Sequence, residues 1–185
     1  MRRVKVPTIE TERLILRMWN KRDAAELYEY ARNPNVGPNA GWKPHESVRD
    51  SRTIIEQVFL VNTTWAIVHK ATGRVIGSIG LEDDSIRKNI RSRELGYSLS
   101  EDYWGEGLMT EAAKRMIRYS FEETNITMLM IRTAETNRRS QRVIEKCGFR
   151  YEGTLRKSYR LYDGTVRDTR FYSMLREEYE QLYAE

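Results

Sequence analysis

Apolar and polar positions alternate over residues 12–18, with Leu14, Leu16 and Met18 on one side, and this reads as a half-buried strand. Asn20 then precedes Ala24, Leu27, Tyr28 and Ala31 at helical spacing, and Asp23 follows it by three residues, a capping pattern for a first helix. That helix is expected to end near Asn33 and Pro34, where Pro, Gly and Asn gather around Trp42 in an ordered loop over residues 33–44. A second helix should bury Val48, Ile55, Val58 and Phe59. Residues 65–69 and 75–81 flank a short turn-rich link at 71–74, the pattern of an antiparallel hairpin. A fourth strand follows at 93–99. Residues 108–121 keep apolar side chains at helical spacing, with Glu111, Lys114, Arg115 and Arg118 outside. A short apolar strand at 128–132, a helix over 137–147 closed by Gly148, and two last strands joined at Asp163 and Gly164 complete the series. The predicted order is β-α-α-β-β-β-α-β-α-β-β, without a repeat or a linker, which makes residues 1–185 a single domain.

Composition narrows the classes. Among 185 residues, 39% are hydrophobic and 32% charged, enough apolar surface for a core and too much for a disordered chain. No apolar run reaches the ~18 residues of a membrane span, and the N-terminus meets charge before any signal-type apolar stretch, so the expectation is a cytoplasmic protein without a membrane partner. Cys147 stands alone, and His45 and His69 offer no ligand spacing, so no metal is expected. The formal charge is +5, with acids interspersed among the bases. That balance, without a nucleic-acid motif, argues against specific nucleic-acid binding despite the basic run at 87–93.

Gly105 and Gly107 lie directly after a strand and open a strong helix. Unpaired backbone N–H groups and the helix dipole there attract phosphate oxygens, and glycine permits close backbone approach. An ordinary glycine turn capping a helix would look the same. The ending lacks the Gly-Lys-Ser/Thr of a nucleotide loop. Downstream, Asn137 caps a helix and Ser140 follows one turn later, so both can face one groove. In this order and spacing, the chain resembles the GNAT superfamily of acetyl-CoA-dependent N-acetyltransferases. The segment 11–17, the strand 94–99, the turn and helix start at 103–112, and the Asn137/Ser140 helix resemble specifically the RimJ/RimL-type branch, named for acetylation of ribosomal-protein N-termini.

The resemblance implies an α/β GNAT fold: a mostly antiparallel seven-stranded sheet, splayed between strands 4 and 5, with helices on both faces. It implies acetyl-CoA as cosubstrate, with the pantetheine arm along Ser98, Leu99 and Ser100 and the pyrophosphate on Gly105, Glu106, Gly107, Leu108, Met109 and Thr110. Asn137 would bond the pantetheine region and Ser140 would lie near the thioester sulfur. Arg139, Arg142 and Lys146 either add positive charge near the phosphates or form a solvated basic face. Two positions depart from the family pattern. Ile144 stands where many members carry a tyrosine acid, which leaves Ser140 as the donor to sulfur, and Met109 stands where a small residue is common.

Acetylation needs a neutral amine, and Glu94 matches the family's carboxylate position as general base. An edge glutamate paired with Arg91 or Arg93 is the structural alternative. Glu82 competes for the role, as part of an acidic collar that attracts amines or of a solvated turn with Asp83 and Asp84. Backbone N–H near Leu99 would meet the oxyanion. No Ser-His-Asp set is apparent and Cys147 sits on an apolar stripe, so transfer is expected directly from cosubstrate to amine, with Cys147 in the core. Trp42, Tyr159 and Tyr162 either wall an acceptor pocket or pack loops. The acceptor is a protein N-terminal α-amine or a small amine such as a polyamine, amino acid or antibiotic. A silent acyl-CoA sensor is the non-enzymatic alternative. The chain would act as a monomer or homodimer.

Overall fold

The computed structural model describes residues 5–183; residues 1–4, the start of the basic N-terminus, lie outside them. The strands hydrogen-bond in the order β1-β2-β3-β4-β5-β6-β8-β7. They are β1 (Ile9–Glu10), β2 (Leu14–Met18), β3 (Thr64–His69), β4 (Val75–Asp83), β5 (Ser92–Leu99), β6 (Met128–Ala134), β7 (Arg150–Arg160) and β8 (Val166–Leu175). The helices are α1 (Ala24–Ala31), α2 (Gly37–Ala40), α3 (Val48–Ile54), α4 (Leu108–Glu122), α5 (Arg138–Lys146) and α6 (Arg176–Tyr183). The sheet thus has eight strands rather than seven. The extra one, β1, has two residues, too few to show alternation. The chain divides into two compact units. One holds the chain up to Leu81 with Tyr97–Ala112, and the other holds Glu82–Gly96 with the chain from Ala113 on.

In the first unit β1 through β4 pair antiparallel, and Leu14 and Leu16 are fully buried while Met18, at the strand's end, is exposed. The Asn20 side chain accepts from the Arg22 N–H and the Asp23 side chain accepts from the Asn20 N–H, so the expected capping box forms. It starts a single 3-10 turn before α1. Leu27 is buried as expected, but Tyr30, not Tyr28, is the buried tyrosine of α1. After α3, which Ser47 caps, the chain widens into a π turn at Ile55–Phe59. That change of pitch buries Ile55 and stacks Phe59 on Trp19 with ring centroids 4.8 Å apart. It leaves Val58 at the surface, and Val48, which opens α3, is exposed as well, so both lie off the expected stripe.

In the second unit β6 lies between β5, to which it is parallel, and β8, to which it is antiparallel. The parallel register runs Ser92↔Met128, Arg93↔Leu129 and Glu94↔Met130, after which β6 continues to Ala134 paired with β8. Met116, Ile117 and Phe121 of α4 are buried, as are Ile144 and Cys147. The β7–β8 turn closes at Gly164, whose φ of 86° favours glycine, and the Asp163 side chain accepts from the Thr165 N–H. Helix α6 follows β8 without a turn signal, and it was not read from the sequence. Arg176 fastens its start by donating to the carbonyls of Phe121, Thr124 and Ile126.

Candidate active site

Backbone conformation makes the glycine turn. Gly105 and Gly107 hold φ of 85° and 79°, values that strain any residue with a Cβ, and α4 starts at Leu108. A Cβ on Gly105 would meet nothing within 4 Å, and one on Gly107 only the Arg13 Nη2 at 3.8 Å. Leu108 and Met109 turn their side chains into the core. The turn therefore offers main-chain N–H groups at a helix N-terminus, open on the side where a side chain would stand. This fits a diphosphate, and Met109 does not obstruct it.

The segment at residues 11–13 holds that turn. Glu111, in the first turn of α4, accepts from the Thr11 hydroxyl at 2.6 Å, the Arg13 N–H at 2.9 Å and the Arg13 Nε at 2.7 Å. Arg13 Nη1 donates to the Glu106 carbonyl at 3.0 Å. Burial works to raise the Glu111 pKa, but the bonds from Thr11 and Arg13 outweigh it and hold the carboxyl below its ordinary range.

Ser98 turns its hydroxyl inward to that of Ser78, 2.9 Å away, so only its backbone can serve a ligand. Burial pushes the nearby Tyr30 phenol up, against the pull of Ser98 and Ser78. The Ser98 carbonyl lies 2.4 Å from where a Cβ on Gly77 would stand, which explains the glycine there. The Ser100 N–H donates to Ile76 at 2.7 Å, and Trp104 Nε1 donates to the Leu99 carbonyl at 3.0 Å, fixing the end of β5. Trp42 packs against the core of the same unit, where it anchors its loop beside His45.

The second unit assembles the carboxylates differently from the expected pattern. Glu94 is only 8% exposed, and it pairs with neither Arg91 nor Arg93. Its Oε1 accepts from Arg132 Nε at 2.6 Å and its Oε2 from the Ser85 hydroxyl at 2.9 Å. Arg93, adjacent in the strand, points to the other face and reaches Asp83 at 3.4 Å. The three consecutive acids do not form one collar or one turn. Glu82 and Asp83 belong to β4, whereas Asp84 is buried and accepts from the backbone of Ile86 and Arg87. Glu82 is open to solvent on one side. Partial burial of its carboxyl, and next the charge of Glu94, raise its pKa, and Arg132 opposes them.

Asn137 caps α5, its Oδ1 accepting from the Ser140 N–H at 3.2 Å, and Ser140 is half-buried. Gln141 ties the same turn to the carbonyls of Ala134 and Glu135. Ile144 is in the core. So is Cys147, whose thiol burial pushes up to about 11, unsuited to carrying an acyl group. Tyr162 is exposed at the hairpin turn, whereas the Tyr159 ring carries the guanidiniums of both Arg132, at 5.6 Å, and Arg167, at 5.5 Å. Glu82, Glu94 and Tyr159 are thus joined through Arg132, which sequence reasoning missed. Its signal was a lone charge within an apolar strand. Arg13 and Glu111 were missed as a pair because 98 residues separate them.

Among the described residues no group of His, Cys, Asp or Glu could hold a metal ion, and no helix is long and apolar enough to cross a membrane. Residues 13–150, about three quarters of the chain, match the acetyltransferase (GNAT) domain, and the chain belongs to that family, whose members use acetyl-CoA. It is 28% identical over 175 residues to the uncharacterized N-acetyltransferase YoaA of Bacillus subtilis, covering 92% of this chain and 97% of the relative. It is 29% identical over 182 residues to the ribosomal protein uS5-alanine N-acetyltransferase of Escherichia coli, covering 90% of each. The fold is shared with a GNAT-family acetyltransferase from Bacillus anthracis, at a TM-score of 0.82 and 23% identity over 93% of this chain and all of that one. It is shared too with the ribosomal-protein-S5-alanine acetyltransferase of Vibrio fischeri, at a TM-score of 0.77 and 23% identity over 94% and 98%.

Proposed function

We propose that this chain, working as one cytoplasmic domain, transfers an acetyl group from acetyl-CoA to a primary amine by direct attack in a ternary complex, and that the acceptor is a protein N-terminal α-amine. The observation that carries the reading is the turn at Gly105 and Gly107, whose open backbone N–H groups suit the diphosphate of a CoA ester. The Escherichia coli relative, similar over nine tenths of both chains, supports the choice of acceptor.

Acetyl-CoA supplies a thioester carbonyl open to attack. The backbone of residues 105–110 receives the phosphates, and the backbone of Ser98, Leu99 and Ser100 aligns the pantetheine arm. Asn137 spends its Oδ1 on the cap, so its Nδ2 is the group that donates to that arm. Ser140 hydrogen-bonds the departing sulfur, and the Leu99 N–H meets the oxyanion. An alkylammonium has no lone pair, so a carboxylate must take its proton. Of the paired acids, Glu94 has both oxygens engaged, by Arg132 and Ser85, and it serves as the fixed charge that raises Glu82. Glu82, open to solvent and raised toward neutrality, takes the proton.

Titration of acetyl-CoA into wild-type protein and Gly105→Ala tests the cradle. The account expects saturable binding to wild type and about five- to thirtyfold weaker binding to the variant, since a Cβ at that φ strains the turn by roughly 1–2 kcal/mol. A folded wild-type protein that binds no acetyl-CoA would overturn the reading.

A further inference from the structure

Strand β7 carries a local distortion that ordinary pairing does not need. Its register to β8 runs Leu155↔Thr169 and then Tyr159↔Arg167, so three residues of β7, 156–158, stand against the single Asp168 of β8. Lys157, at the centre, holds a φ of 50°, an uncommon value for a residue with a Cβ. The conformation is held from both sides. The Lys157 N–H donates to the Asp168 carboxylate at 2.8 Å, and the Ser158 hydroxyl donates to the Leu155 carbonyl at 3.0 Å. Without the bulge Lys157 would stand opposite Arg167, one cation against another. With it, Tyr159 takes that place.

The pairings Glu94↔Met130, Arg132↔Phe171 and Tyr159↔Arg167 put Glu94, Arg132, Arg167 and Tyr159 on one face of this unit's sheet. Arg132 uses its Nε on Glu94, which leaves its outer fork to bind a planar anion. Arg167 is half-buried, and burial holds its pKa below the ordinary value against the smaller opposing pull of Tyr159 and Asp163. Electrostatically coupled to this same cluster is Glu82, which suits an ammonium.

We infer that Arg167 and Arg132, aligned by the bulge-borne Tyr159, seat a carboxylate that the acceptor carries beside its reacting amine. The inference rests on the reading of Glu82 as the group that takes the amine's proton. A zwitterionic acceptor then meets opposite charges in the right order, ammonium at Glu82 and carboxylate at the arginine pair. That carboxylate is either an acidic side chain next to a peptide N-terminus or the α-carboxylate of a free amino acid.

Two matched pairs of acceptors test this: a peptide with glutamate or glutamine as its second residue, and a free amino acid or its amide. In at least one pair the carboxylate form should have a kcat/KM about tenfold higher, with the difference in KM. The pair that shows it identifies the carboxylate's source. Arg167→Gln should bring that ratio to about one. Asp168→Ala, which frees the bulge, should lower it too, with thermal unfolding verifying that both variants fold. Equal use of acid and amide by wild type, or a preference that survives Arg167→Gln, overturns this inference and leaves the acetyltransferase reading intact. Absence of transfer to any amine, with acetyl-CoA bound, overturns both.

Discussion

Replacing Glu111 by Gln tests how the glycine turn is held. The carboxylate accepts three bonds, from the Thr11 hydroxyl and from the Arg13 N–H and Nε, and its side chain is 18% exposed. The Arg13 side chain is 41% exposed, so its ion pair is discounted to at most about 1 kcal/mol. Gln retains one acceptor oxygen and removes the charge. The expected loss is about 1–2 kcal/mol at pH 7, from the weakened Thr11 and Arg13 backbone bonds. In a chain of this size that lowers Tm by roughly 2–8 °C. The pH dependence gives the stronger signature. The folded pKa of Glu111 lies below its unfolded value of about 4.3, so its contribution is fully present above that value and disappears as pH falls through the folded one. Differential scanning calorimetry of wild type and Glu111→Gln from pH 7 to pH 3 should show a gap that closes in the acid range. Acetyl-CoA binding should weaken in the variant because Arg13 also holds the Glu106 carbonyl. Equal Tm values at pH 7, or a gap unchanged down to pH 3, would refute the reasoning.

Further outcomes follow from the carboxylate pair and the thiol. Glu82→Gln should lower kcat by at least about a hundredfold with acetyl-CoA binding unchanged, as steady-state kinetics and titration would reveal. Glu94→Gln removes the charge that raises Glu82, so the acidic limb of the pH–rate profile should move to lower pH; a limb that stays in place would detach the two groups. Cys147→Ala should keep turnover, because the thiol is buried and raised to about 11, and intact-mass analysis after acetyl-CoA alone should detect no acetylated enzyme.

Much of the fold was legible because period and punctuation agreed. The capping box at Asn20 and Asp23, the apolar stripe of α4 and the Gly148 stop are local signals, and each stands where the pattern put it. Local patterns could not show the two-residue β1, the π turn that exposes Val58, or α6, which depends on Arg176 reaching carbonyls some fifty residues away. Within the candidate site the glycine turn was readable because only backbone conformation is needed there. Pairings were not. Adjacent arginines looked like partners for Glu94, but strand alternation sends Arg93 to the opposite face, and Arg132 arrives from the neighbouring strand. The β7 bulge escaped notice because a lysine, not a glycine, occupies its positive-φ position.

Acetyl transfer itself is the central claim, and a product measurement addresses it most directly. Purified protein would be incubated with acetyl-CoA and a panel of peptide N-termini, polyamines, amino acids and aminoglycosides, with thiol release and acetylated products read together by mass spectrometry. The account predicts thiol release that requires an amine, matched by one acetyl group on a peptide N-terminus. Acetylation of a small amine alone would replace the acceptor and keep the chemistry. Acetyl-CoA bound with no amine-dependent thiol release from any acceptor would contradict the claim and leave a protein that senses acyl-CoA without turning it over.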